Sequence, residues 1–171
     1  MVAVYAWCVI YCLMIVLLTI GWVRTMRRRP AGDQVIPISV VVAFRNEASN
    51  LEALFGSLEH QTHRSFEVIL VDDNSDDDSL TIAREWKERS ALSVKVLSSV
   101  GEGKKQALTT GIASAAFPLL ATTDADCSVT PDWLDKSTRW FANHEVHLVA
   151  GGVRLSPART FFSSLQAIEF R

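Results

Sequence analysis

Cysteine is scarce in this chain of 171 residues: three in all, at positions 8, 12 and 127. An odd count without regular spacing builds no disulfide framework, and no Cys/His pattern has zinc-ligand spacing. A reducing compartment fits. Cys8 and Cys12 share one helix face as packed or lipid-facing thiols. His60, His63, His144 and His147 show no ligand spacing and read as polar-surface or loop residues. There is also no basic stripe. Residues 1–32 hold four arginines and no acid, so the remainder carries 13 basic and 19 acidic residues, net −6. An acidic globular part of that kind excludes a nucleic-acid binder. No internal repeat or low-complexity tract interrupts the chain, whose length allows one domain plus an appendage.

A second absence is of charge: Val2 to Val23 contains no charged residue. About 20 apolar residues cross a bilayer core at helical rise, so this run predicts a transmembrane helix over 1–23. A cleaved signal peptide would place its basic residues before a shorter apolar core. Here they come after it, at Arg24, Arg27, Arg28 and Arg29. The positive-inside rule then puts the N-terminus outside and the rest of the chain in the cytoplasm. Residues 24–35 form a basic juxtamembrane linker, and 36–171 the globular domain.

That domain alternates strand-like and helix-like pieces. Ile38–Phe44, Phe66–Val71 and Val94–Leu97 are apolar, β-branched runs of the kind buried in parallel sheets, and Val146–Ala150 is a further strand. Val153–Leu155 continues as extended chain. Ser49 or Asn50 can cap a helix whose Leu51, Leu54, Phe55 and Leu58 fall at i, i+3, i+4 and i+7. Leu80, Ala83 and Trp86 mark a second helix, Leu108, Ile112 and Ala115 a third. Thr130 as N-cap and Pro131 at the first helical position open a fourth, carrying Trp133, Leu134, Trp140 and Phe141. Phe161–Phe170 also has helical character. This order predicts an α/β fold with a mainly parallel sheet.

Polar clusters follow the strands: Arg45-Asn46-Glu47, Asp72-Asp73 and Asp124-Ala125-Asp126. In a parallel sheet these ends share one rim, where open α/β sheets bind ligands. Asp124 and Asp126 repel unless a cation lies between them, and oxygen ligands suit Mg²⁺ or Mn²⁺ with positions left for phosphates. Gly103-Lys104 opens a helix, whose free N–H groups and macrodipole favour an anion. Together these residues describe a nucleotide diphosphate site. Asp72 and Asp76–Asp78 read as strand terminators and helix caps, Lys105 as a solvated surface residue, and Cys127 as a small packed side chain.

Four motifs in order, Ser39-Val-Val-Val-Ala-Phe-Arg-Asn-Glu47, Val71-Asp-Asp-Asn-Ser75, Gly103-Lys104 with Ala107-Leu108, and Thr123-Asp-Ala-Asp126 with Pro131-Asp132, resemble the N-terminal half of a family 2 glycosyltransferase. The membrane-attached, processive-type branch is the nearest likeness. The resemblance covers about residues 36 to 135. It implies a GT-A fold and inverting transfer of a sugar from a nucleotide diphosphate, usually UDP, to a glycan or lipid-linked acceptor at the membrane. Carried over by position, Ala43 and Glu47 line the nucleoside pocket, Asp73 accepts the uracil N3–H, and Lys104 lies by the phosphates. Asp124 holds ribose or the metal, and Asp126 binds the divalent ion.

An inverting transferase needs a general base, which in this family lies in a later motif. After Asp135 the only acids are Glu145 and Glu169, so the base is expected beyond Arg171 and the chain reads as the donor half of the enzyme. Competing readings fail on spacing. A P-loop needs Gly where Ser98 stands and Ser or Thr where Lys105 stands. A haloacid-dehalogenase phosphatase motif has Thr or Val where Ser128 stands. A membrane-tethered nucleotide-sugar-binding half-domain without turnover shares every motif, so activity alone separates it from the enzyme. The orientation has a direct test: protease added to intact, right-side-out cells is expected to spare the globular part, and its digestion there would overturn a cytoplasmic placement.

Overall fold

The computed structural model describes residues 2–26 and 35–154. The first helix, α1 (Val2–Met26), has 25 residues. At 1.5 Å per residue it is roughly 37 Å long. A 20-residue stretch, Tyr5–Arg24, has a mean hydropathy of 2.3 and none of it is buried, so the helix is long and apolar enough to cross a membrane. It runs past Val23 because no helix breaker precedes Pro30. The linker residues 27–34 and the piece Phe161–Phe170 lie outside the described residues, as does Leu155 of the second extended piece.

The globular part is a four-stranded sheet flanked by helices. Its strands are β1 (Ile38–Phe44), β2 (Phe66–Asp72), β3 (Ser93–Ser98) and β4 (Leu119–Thr122), in the order β3-β2-β1-β4. All pairings are parallel: Val41 pairs with Ile69 and Thr122, and Asp72 with Ser98. Chain order moves outward from β1 to β3 and then jumps back to the far side of β1 at β4. The crevice between β1 and β4 is therefore the topological switch point.

Side-chain alternation divides the core in two. Val40, Val42 and Phe44 of β1 join Val68 and Leu70 of β2 against α2 (Leu51–Glu59) and α3 (Ser79–Arg89). All four apolar residues read from the α2 sequence are buried, and Phe55 stacks on Trp86 with ring centroids 4.1 Å apart. Val41, Ile69 and Val71 face the other way, toward α4 (Lys104–Ala113). Here the expected helix face holds in part, with Leu108 and Ala115 packed against this cluster. Ala107 and Gly111 are the buried residues, while Ile112 is 43% exposed and Ala115 lies beyond the helix end. The cause is close approach: a Cβ at Gly111 would lie 2.4 Å from Val41 Cγ1 and 2.9 Å from Val71 Cγ2. Small residues let α4 settle on the sheet where larger ones would hold it off.

Two further expectations change. The last helix, α5 (Trp133–Thr138), starts three residues after Thr130 and passes into a 3₁₀ turn (Arg139–Ala142). Thr130 spends its hydroxyl on Asp132 Oδ1 (2.8 Å), so Thr130 and Pro131 belong to the preceding loop. Val146–Ala150 has no strand partner among the described residues and runs as irregular chain, with Leu148 84% exposed. An apolar run without a neighbouring edge cannot complete a ladder.

At the edge of the sheet away from the strand C-termini lies a polar cluster. Glu67 is buried on the α4 side and accepts hydrogen bonds from Ser39 Oγ (2.6 Å) and Ala116 N (2.6 Å), with Lys95 Nζ 2.9 Å away. Burial pushes its carboxyl up, but these three donors more than offset that and hold it below the ordinary glutamate value. A carboxyl lowered in the folded state stabilises above its unfolded value, near pH 4.3, and that contribution is lost as pH falls through the folded value. Glu67→Gln is thus expected to cost about 1.5–3 kcal/mol at neutral pH. It should also flatten the decline in stability below about pH 4, measured by urea unfolding at several pH values. An unchanged acid limb would remove Glu67 from that account.

Candidate active site

At the switch point the loops after β1, β2 and β4 and the start of α4 enclose a cavity of about 210 Å³. Its lining brings together Ala43, Glu47, Asp73, Lys104, Asp124 and Asp126, all six of the residues singled out from the sequence. Phe44, Arg45 and Ala125 complete it.

Alternation explains how each carboxylate arrives. Asp72 ends β2 on the α2/α3 side and turns into its own loop, where Oδ1 accepts the Ser75 N–H (3.2 Å). Asp73 falls on the α4 side and accepts the Gly103 N–H (2.8 Å) at Oδ1. Both are 5% exposed. Gly103 has φ +95°, a conformation that favours glycine, and it delivers Lys104 to the first turn of α4. In the Asp-Ala-Asp triplet the middle residue is buried in the core while Asp124 and Asp126 are exposed to the cleft. The small apolar Ala125 is the pin that turns both carboxylates outward.

The β1 loop is held by contacts that the sequence did not reveal. Asn46 and Asn74 both adopt positive φ, 55° and 57°. Asn46 N donates to Ser75 Oγ (3.0 Å), and its own Oδ1 accepts Asp76 N (2.8 Å). Glu47 N donates to Ser79 Oγ (2.8 Å). Asp77 is more than a cap: Oδ1 accepts Ser79 N (3.0 Å) and Oδ2 accepts Ala48 N (3.2 Å). The Ser79 contact above all keeps its carboxyl below the ordinary range. The Asn-Ser-Asp-Asp segment thus clips the β1 loop to the start of α3.

Charge in the cleft is unevenly satisfied. Lys104 Nζ lies 2.6 Å from Asp124 Oδ1. Among the described residues the Asp126 carboxylate has one hydrogen-bond partner, Cys127 Sγ, which donates to Oδ1 at 3.7 Å. Burial, then the neighbouring Asp126 and Asp124 charges, push the Cys127 thiol up, so it reacts slowly as a nucleophile. Among the described residues no group of three His, Cys, Asp or Glu side chains could cage a metal. The donor set is one open carboxylate with a second shared by a lysine. That suits a hard divalent cation whose remaining positions are filled by phosphate and water.

His63 corrects the sequence reading of the histidines. It is buried, with Nδ1 3.2 Å from Asp135 Oδ1 and Nε2 facing the carbonyls of Ile36 (3.1 Å) and Ser65 (3.2 Å). His60 is exposed and bonds only to its own helix, through Gly56 O. Lys105 is solvated as expected.

With this geometry in view, the comparisons with known proteins fall into place. Residues 39–168 match the model for glycosyl transferase family 2, and the chain belongs to that family. It is 29% identical over 121 residues to the glycosyltransferase AglE of Haloferax volcanii, a match covering 70% of this chain and 40% of AglE. Among solved structures, it resembles the mannosyltransferase PcManGT of Pyrobaculum calidifontis in complex with GDP-Man and Mn²⁺. That match has a TM-score of 0.61 and 26% identity, over 74% of this chain and 40% of the other. It also resembles S. aureus TarS 1-349 in complex with UDP-GlcNAc, with a TM-score of 0.56 and 25% identity, over 64% and 32%. The chain spans 27–40% of the length of the curated relatives it matches.

Gly103 offers a test of the local design. A Cβ there would meet nothing within 4 Å, so any penalty of substitution is conformational. Gly103→Ala is expected to lower stability by about 1–2 kcal/mol. Gly56→Ala, in the interior of α2 with equally open surroundings, should raise it by up to about 1 kcal/mol. Urea unfolding of both variants checks the contrast, and equal effects would contradict it.

Proposed function

We propose that this chain is the donor-binding part of a membrane-anchored glycosyltransferase that takes its sugar from a nucleotide diphosphate, UDP foremost. The observation that carries the reading is the convergence of Ala43, Glu47, Asp73, Lys104, Asp124 and Asp126 on one cavity at the sheet's switch point. The GDP-Man and UDP-GlcNAc complexes of its structural neighbours support a nucleotide-sugar donor. The apolar helix α1 supports an anchor, with the globular part cytoplasmic and a glycan or lipid-linked acceptor met at the membrane.

In this reading Ala43 and Glu47 border the nucleoside, and Asp73 presents its free Oδ2 to the uracil N3–H while Oδ1 stays on Gly103. Lys104 offers its ammonium to the diphosphate, and Asp126, with Asp124 beside it, holds Mg²⁺ or Mn²⁺. A bound divalent ion would supply positive charge against the departing diphosphate. The buried Asp73–Gly103 contact keeps base recognition and the lysine in one rigid unit. Deprotonation of the acceptor falls to a base outside this cleft. Binding without turnover would instead fit a tethered nucleotide-sugar-binding half-domain.

A calorimetric titration of UDP and CDP, with and without Mn²⁺, tests these roles together. Asp126→Asn should abolish most of the Mn²⁺-dependent gain in UDP affinity, whereas the exposed Asp78→Asn should leave it unchanged. Asp73→Asn is the sharper substitution. Gly103 N–H demands an acceptor, so the amide oxygen stays there and the NH₂ turns to the base. A donor now faces uracil N3–H but suits cytosine N3. The preference for UDP should fall by roughly ten- to a hundredfold and move toward CDP. Equal weakening of both nucleotides would dismiss the uracil role. UDP affinity indifferent to Mn²⁺ in both wild type and Asp126→Asn would dismiss the metal.

A further inference from the structure

After β4 ends at Thr122, the chain runs through the acidic triplet to Trp133 without a helix or strand. Such a segment needs partners for its backbone groups, and most of those found come from one place, the C-terminal end of α2 and the turn after it. Ser57 Oγ accepts Val129 N (3.2 Å). Gln61, fully buried, donates from Nε2 to Thr130 O (2.7 Å) and Ser57 O (3.1 Å), and accepts Leu134 N (3.1 Å) at Oε1. Thr62 donates to Pro131 O from both its backbone N (2.8 Å) and its hydroxyl (3.1 Å), and the hydroxyl also meets Asp135.

The acidic loop is therefore anchored twice. Upstream, Ala125 sits in the core; downstream, Val129 packs on the core and donates to Ser57, and Thr130 and Pro131 are gripped by Gln61 and Thr62. Asp126, Cys127 and Ser128 span the gap; among the described residues they are tied there by the Cys127 N to Asp124 O turn (3.2 Å) and by the Cys127 Sγ contact with Asp126 Oδ1 (3.7 Å). Where the downstream anchor stands decides how far this short span can swing, and with it the Asp126 carboxylate. We propose that Gln61 and Thr62 are positioning residues for Asp126: they touch neither cleft nor ligand, and act by fixing the chain that carries it. The metal role of Asp126 in this inference rests on the donor-site reading above, but the loop-anchoring part does not. Truncating Gln61 leaves the Thr130 and Ser57 carbonyls and the Leu134 amide without their buried partner.

The test uses the full chain in lipid nanodiscs with Cys8 and Cys12 replaced by serine, which leaves Cys127 as the sole thiol. Gln61→Ala and the milder, isosteric Thr62→Val are compared with Glu67→Gln, which weakens the polar cluster at the far end of the sheet. Two readouts are taken beside thermal stability: the rate of maleimide labelling of Cys127 without ligand, and the Mn²⁺-dependent gain in UDP affinity. Both Gln61→Ala and Thr62→Val should label about fivefold faster or more, the equivalent of one lost hydrogen bond. They should also lose a comparable factor of the Mn²⁺-dependent gain while metal-free UDP affinity holds. Glu67→Gln should move neither readout beyond its effect on stability. If labelling and metal dependence simply track thermal stability in all three variants, Gln61 and Thr62 are structural only and the proposal falls. Wild type that fails to bind UDP with Mn²⁺ would overturn the donor-site reading instead, and the labelling rates would still decide whether these residues anchor the loop.

Discussion

Parallel pairing of β1 with both β2 and β4 is the constraint from which the rest of this domain follows. Because the strands run the same way, the loops after β1, β2 and β4 emerge on one rim, joined there by the start of α4 after β3. Because β1 and β2 are covered on both faces, each successive residue must commit to one helix layer or the other. Val40, Val42 and Phe44 serve α2 and α3; Val41 serves α4. The same two-residue rhythm carries past the strand ends into the polar residues. It sends Asp72 into its own loop and Asp73 to the start of α4.

The cleft built on that rim has more negative than positive charge. Four carboxylates (Glu47, Asp73, Asp124 and Asp126) face two cations, Arg45 and Lys104, and one of these is taken by Asp124. A cleft with that balance attracts a cation and repels a bare anion. Its carboxylates are held apart by different means: Glu47 accepts the Asn50 side-chain amide (2.6 Å), Asp73 the Gly103 amide, Asp124 the lysine. Asp126 is left as the carboxylate with least protein satisfaction. That imbalance is what a metal-assisted glycosyl transferase would need, and it is stable in the folded protein because Asp126 remains in water.

Rigidity under the site comes from buried polar groups rather than from apolar packing alone. Gln61 and His63 stitch the turn between α2 and β2 to the segment after the acidic loop, and Glu67 ties Ser39, Lys95 and the chain before β4 together at the opposite edge. None of the buried side-chain polar atoms among the described residues lacks a partner. Satisfied networks of this kind favour one arrangement of neighbouring elements over its alternatives.

Much of this was legible from residue order. The β-branched runs gave the strands, the i, i+3, i+4, i+7 spacing gave α2, and the four ordered motifs pointed to the family and to six residues that do share one cavity. Local chemistry suffices there because period and strand-end position are properties of neighbouring residues. The sequence misled where the answer depended on a distant partner. Val146–Ala150 is apolar enough for a strand but meets no sheet edge among the described residues, and Thr130-Pro131 has the form of a helix start but is drawn into a loop by Gln61 and Thr62. The buried face of α4 was set by how closely Gly111 approaches Val41 and Val71, which no helical spacing encodes. His63 read as a polar-surface or loop residue and Asp77 as a strand terminator or helix cap, until the fold brought Asp135 and Ala48 to them from 72 and 29 residues away. Sequence alone determined which residues could do chemistry and on which kind of element they lie; tertiary structure decided their partners, because a hydrogen bond between distant residues exists only once the sheet has closed the space between them.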